Sequence, residues 1–128
     1  MKSLSAINAE NGGSKVMKNI LFASSECVPF IKTGGLADVV GSLPKEFDKA
    51  RYDVRVVIPN YTCMKQEWKE KLEYVTHFYM DIAGQNQYVG VLKTVLNDIT
   101  FYFIDNEHYF SGFALYDGDP KWNIEKFA

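Results

Sequence analysis

Lys32, Gly34 and Gly35, flanked by Glu26 and Asp38, are the residues whose types and spacing suit chemistry on an anion. Glycines lack a Cβ, so Gly34 and Gly35 could take positive φ and let backbone N–H groups close on a ligand. A helix starting just after them would add its unpaired N–H groups and the positive end of its dipole. Lys32 supplies a mobile cation two residues earlier, suited to a phosphate or a polarised sugar oxygen. Asp38, one turn into that helix, is placed to accept hydrogen bonds from loop amides or a hydroxyl, and Glu26 is a second carboxylate at the same mouth. A plain tight turn is the competing reading of the same residues. The spacing fits neither familiar phosphate loop: the lysine precedes the glycines, unlike a P-loop, and the turn has only two glycines, unlike a dinucleotide fingerprint.

The elements that must position this loop follow from periodicity. Residues 19–24 form a nearly continuous apolar run, as in a strand buried on both faces of a parallel sheet. Leu36, Val39, Val40, Leu43 and Phe47 recur at helical spacing, with Pro44 expected to kink or divide the helix and residues 45–51 to continue it as a polar stretch. The loop therefore joins a strand end to a helix start, where open α/β sheets bind ligands. Residues 54–59 read as a second central strand ended by Pro59, and residues 61–71 as a short helix over the sheet edge. From Leu72 the pattern alternates, predicting an antiparallel hairpin of residues 72–82 and 87–96 around a turn at 83–86. Asn97-Asp98 is a further turn before a strand at 99–104; residues 107–119 read as a loop, and Trp122 to Ala128 as the start of a helix. The expected fold class is α/β, a Rossmann-like parallel sheet carrying an antiparallel hairpin insertion.

The run Ser25-Glu26-Cys27-Val28-Pro29-Phe30-Ile31-Lys32-Thr33-Gly34-Gly35-Leu36-Ala37-Asp38-Val39-Val40-Gly41-Ser42-Leu43-Pro44 closely resembles the amino-terminal signature of bacterial glycogen synthases and plant starch synthases. Asp53-Val54-Arg55-Val56-Val57-Ile58-Pro59-Asn60-Tyr61 is similar to that family's second strand and its exit. Phe103-Ile104-Asp105-Asn106, with Tyr109, Phe110 and Tyr116, is similar to a later strand and loop. The resemblance spans about residues 18 to 128 and implies the first part of the first domain of a GT-B glycosyltransferase, with the second domain absent. It implies retaining transfer of glucose from ADP-glucose to the non-reducing end of an α-1,4-glucan. Lys32 would contact the donor's phosphate or sugar, and Gly34 and Gly35 would let loop amides close on the diphosphate. Asp38 and Glu26 would hold the loop or meet hydroxyls, and Tyr116 would lie near the acceptor. The family's histidine on a later strand, and its basic pair and glutamate in the second domain, have no counterpart in these residues, so no catalytic residue is assigned and the chain alone is expected to be inactive. A non-catalytic nucleotide-sugar or glucan binding module is the alternative.

Other candidates read as scaffold. His77 sits in an alternating strand and faces solvent; His108 reads as a structural loop histidine, with contact to a sugar as the alternative; Cys27 has no neighbouring base and takes a packing role. Phe101 and Phe103 are expected in the core, while Tyr109 and Tyr116 could offer rings and hydroxyls to sugars. No His, Cys or carboxylate cluster has metal-ligand spacing, and no cofactor is expected. A net charge of −2 without a basic stretch speaks against nucleic acid. Cys27 and Cys63, with no secretory signal, are expected as reduced thiols in the cytoplasm. No segment approaches the ~20 apolar residues of a membrane span. Residues 1–18 are expected to be a flexible leader, and 19–128 a single partial domain.

Overall fold

The computed structural model describes residues 17–111. The expected leader thus lies almost wholly outside the described residues, as do Tyr116 and the helix start at Trp122. Five strands form one mixed sheet: β1 (Lys18–Ala23), β2 (Tyr52–Pro59), β3 (Glu73–Ile82), β4 (Gln85–Leu96) and β5 (Ile99–Asp105), in the order β1-β2-β5-β4-β3. β1, β2 and β5 are parallel; β4 runs antiparallel to β5, and β3 to β4. Among the described residues the α-helical segments are α1 (Gly35–Ser42), α2 (Gln66–Lys69) and α3 (Glu107–Phe110). This is the α/β sheet with a hairpin insertion that the sequence predicts.

The core lies on one face of the parallel strands. Phe30, from the loop after β1, is its hub, edge-on to Trp68, Phe101 and Phe103 at ring separations of 5.2, 4.9 and 5.0 Å. Cys27, Val40, Val56, Ile58, Met64 and Ile99 complete this cluster. Each fully buried apolar side chain of this size contributes about 1.5–3 kcal/mol, so the loop is anchored by Phe30 as firmly as the strands are. A second cluster of Tyr61, Tyr109 and Phe110 packs with Ile31, Ile82 and Ile104.

Several local expectations are corrected. The buried stripe of α1 is Ala37, Val40 and Gly41, and Leu36, Val39 and Leu43 stay exposed. Gly41 decides the orientation: a Cβ there would fall 2.3 Å from Val28 Cγ2, so the helix turns its glycine onto the loop. Pro44 does divide the helix, opening a 3-10 turn over Leu43–Glu46, but the polar continuation is not helical, and Phe47 is extended and packs edge-on to Phe22 and Tyr52. The described elements cover the parallel strands on one face only; Leu21 is exposed on β1, and β2 alternates between buried and half-buried positions. The hairpin turn is two residues, Ala83 and Gly84, both at positive φ, with Ile82 and Gln85 already paired. Asn97 and Asp98 make a second turn of the same hand. Within the stretch read as a loop, Glu107–Phe110 forms a helical turn because Asn106 caps it, its side chain accepting from the Tyr109 N–H at 3.0 Å.

Candidate functional site

The parallel arrangement sends the carboxyl ends of β1, β2 and β5 to one rim of the sheet, and the loop of residues 24–34 leaves β1 there. That loop is tied to the exit of β2, and the exit of β2 in turn to that of β5. The Tyr61 hydroxyl donates to the Ser25 carbonyl (2.9 Å), the Asn60 N–H to the Ile104 carbonyl (2.8 Å) and the Thr62 N–H to the Phe110 carbonyl (3.1 Å).

Glu26 is the internal brace of the loop. It is 3 % exposed. Its Oε2 accepts from the Thr33 N–H (2.8 Å) and the Thr33 hydroxyl (2.6 Å), and its Oε1 from the Ala37 N–H at the start of α1 (3.1 Å). Burial pushes the carboxyl up, but the Thr33 hydroxyl together with the amides of Thr33, Ala37 and Gly34 holds it below its ordinary value. The carboxylate is therefore an acceptor fixed in its ionised form.

That geometry redistributes the roles expected of the two acids. Asp38 takes no loop amide; it pairs with Lys32, Nζ to Oδ2 at 2.7 Å, with both side chains about half exposed. An exposed pair of this kind is worth roughly 0–1 kcal/mol, so Lys32 can exchange Asp38 for a stronger anion at little cost. Gly34 is the N-cap of α1 with φ −163° and ψ −163°, extended backbone open to any residue, so the expected positive φ is not found at the glycine pair. What the pair provides is space. A Cβ on Gly35 would meet nothing within 4 Å, and one on Gly34 only Glu26 Oε1 at 3.9 Å. No side chain caps α1, and among the described residues no protein acceptor is found for the Gly35 and Leu36 N–H groups. Two open amides, the helix dipole and Lys32 make an electropositive lip, while Glu26 satisfies the inner amides from behind.

The remaining candidates separate cleanly. Cys27 is fully buried and burial pushes its thiol up to about 11, which makes it a packing residue; Cys63 is exposed, and both are free thiols. Tyr109 is buried in the second core cluster, which removes it from the surface offered to a sugar. His77 is exposed as expected, bonded through Nδ1 to the Tyr74 hydroxyl. His108 lies on α3 and lines a cleft with Gln87, Tyr88, Asp105, Asn106 and Glu107. Tyr116 lies outside the described residues. Sequence reasoning missed Thr33 and Tyr61; a polar residue inside a lysine-glycine loop and a tyrosine directly after a strand-ending Asn60 were the available signals. Among the described residues no group of three His, Cys, Asp or Glu side chains could hold a metal, and no helix is long and apolar enough to cross a membrane.

Residues 19–128 match the family model described as the starch synthase catalytic domain. The glycogen synthase of Lachnospira eligens is 61% identical over 112 residues, covering 88% of this chain and 23% of the relative. That of Lachnoclostridium phytofermentans is 57% identical over 112 residues, with the same coverage of 88% and 23%. Among solved structures, the catalytic domain of starch synthase IV from Arabidopsis thaliana, bound to ADP and acarbose, superposes with a TM-score of 0.66 at 23% identity, covering 82% of this chain and 22% of that one. The chain spans less than a quarter of the length of these relatives.

Proposed function

Because the chain belongs to the starch synthase catalytic domain family, we propose that it forms the donor-side opening of a cytoplasmic glycogen synthase, which transfers glucose from ADP-glucose to the non-reducing end of an α-1,4-glucan with retention. The observation that carries this reading is the lip itself: Lys32 in an exchangeable ion pair beside the open Gly34-Gly35 backbone and the uncapped start of α1. A diphosphate there would draw Lys32 from Asp38 and accept from the Gly35 and Leu36 amides, which are preorganised by Glu26 and so need no rearrangement as charge builds on the leaving group. Relatives with glycogen synthase activity in their names, and a structural neighbour bound to ADP and acarbose, support the same assignment.

One lysine and two amides stabilise a leaving diphosphate only in part, so the 128-residue chain by itself is expected to bind nucleotide weakly and to turn over nothing. The test places residues 17–128 in the Lachnospira eligens glycogen synthase in place of its matching segment and follows glucose transfer from ADP-glucose onto glycogen. Lys32→Ala is expected to lower kcat/KM by about 10²-fold, the usual scale for removing one preorganised charge-stabilising group. Unchanged turnover in a folded chimera would reduce Lys32 to a surface residue on a turn and end this reading. Transfer by the isolated 128-residue chain would overturn the expectation of its inactivity.

A further inference from the structure

Thr33 lies between Lys32 and Gly34 and reaches one oxygen twice: its N–H and its hydroxyl both donate to Glu26 Oε2, at 2.8 and 2.6 Å. The other carboxylate oxygen accepts from the Ala37 N–H at 3.1 Å, and the Ala37 carbonyl accepts from the Val28 N–H at 3.1 Å. Glu26 thus pins both ends of the arc 33–37. Gly35 and Leu36, whose amides are open among the described residues, lie inside that arc. The carboxylate stands close behind them: a Cβ on Gly34 would be 3.9 Å from Oε1. Two of the three bonds that hold Glu26 come from backbone amides, and the third comes from the Thr33 side chain. It is the shortest of the three, and a hydroxyl donating to a carboxylate is roughly twice as strong as a bond between neutral groups. Thr33 is exposed whereas Glu26 is buried, so the threonine takes no share in the apolar core.

We propose that Thr33 is a positioning residue for the transfer: its hydroxyl, acting through Glu26, keeps the Gly35 and Leu36 amides aimed outward at the leaving diphosphate. The inference rests on the proposed reading in one respect, that the open amides meet a diphosphate. Without the hydroxyl, Oε2 keeps a single bond, the carboxylate is no longer fixed, and the Ala37 amide loses its acceptor for part of the time. The first turn of α1 then relaxes, and its open amides must be realigned as charge develops. Donors that are not preorganised lose most of their value in the transition state. The damage therefore falls on kcat more than on KM. Serine supplies the same donor as threonine, and valine the same branching without it.

The test compares Thr33→Val and Thr33→Ser in two settings. In the chimera with the Lachnospira eligens glycogen synthase, Thr33→Val is expected to lower kcat about tenfold with KM within about twofold, a smaller loss than that of Lys32→Ala because the group acts at one remove. Thr33→Ser is expected to keep kcat within about twofold of the unaltered residue, since its donor is retained. In the 128-residue chain, without donor or acceptor, the Ala37 amide of Thr33→Val is expected to exchange with solvent deuterium about tenfold faster, and that of Thr33→Ser at the unaltered rate. The Asn60 amide, bonded to the Ile104 carbonyl, is the control for an intact fold and is expected to exchange alike in all three. Unaltered kcat or unaltered Ala37 exchange in Thr33→Val, equal losses in Thr33→Ser, faster Asn60 exchange in Thr33→Val, or a rise in KM with kcat preserved would each overturn the inference. Since the exchange measurement needs no turnover, a silent Lys32→Ala ends the donor reading without deciding whether Thr33 holds Glu26, and unaltered Ala37 exchange ends the Thr33 inference without touching the Lys32 result.

Discussion

β5 and β3 belong to one sheet, two positions apart, and share almost nothing in environment. β5 alternates buried and half-buried residues, with Phe101 and Phe103 locked against Phe30. Every residue of β3 except Ile82 is exposed. The parallel part is held by side chains that come from distant points of the sequence, whereas the hairpin is held by its ladder to β4 and by two tight turns. Stability is thus concentrated in the half that builds the electropositive lip. The half bearing the hairpin contributes surface, whose side chains packing does not use.

Substitutions on either side make that contrast measurable. Phe103→Ala, at the fully buried centre of the core, should cost about 3–5 kcal/mol in chemical denaturation. A loss under 1 kcal/mol would mean that the parallel half is not the stable one. Glu26→Gln should cost about 1–3 kcal/mol, because an amide offers one acceptor oxygen where two are used and turns N–H groups toward either Thr33 or Ala37. The sign with pH follows from the lowered carboxyl: Glu26 contributes fully above its ordinary unfolded value and loses its contribution as pH falls through the folded one. The acid limb of a stability-against-pH profile should therefore be flatter in Glu26→Gln, and an unchanged limb would remove Glu26 from the account. In the hairpin, Ala83→Asn should raise stability by about 0.5–1 kcal/mol, since Ala83 sits at φ 52° where asparagine is better tolerated before a turn glycine. Tyr79→Ala should fall within about 0.5 kcal/mol of the unaltered chain.

The same contrast explains how far the sequence could be read. β1, β2 and β5 announce themselves as apolar runs, and the hairpin by alternation, because those patterns are the direct imprint of burial on one strand. The orientation of α1 is not of that kind. Leu36, Val39 and Leu43 form the more apolar stripe, yet Gly41 faces inward because of Val28, thirteen residues earlier, a pairing no local window contains. The loop was legible as an anion-binding candidate from Lys32, Gly34 and Gly35. The division of labour between its two carboxylates was not, because which one reaches the amides depends on the loop folding back on itself: Glu26 meets Thr33 seven residues on, Ala37 eleven on. Tyr109 shows the opposite limit, an aromatic in a polar-looking loop that the Asn106 cap folds inward.

The cross-links among the strand exits carry a consequence in time. Amide protons of Ser24, Asn60 and Thr62, tied to Val57, Ile104 and Phe110, are closed in the ground state and should exchange with solvent deuterium slowly, opening together when the rim opens. Those of Gly35 and Leu36, a few ångströms of backbone further along, should exchange at nearly the rate of an unprotected peptide until an anion covers them. The lip is then a fast-exchanging window set in a slow-exchanging frame, and the ratio of the two rates reports occupancy without a chromophore or a turnover.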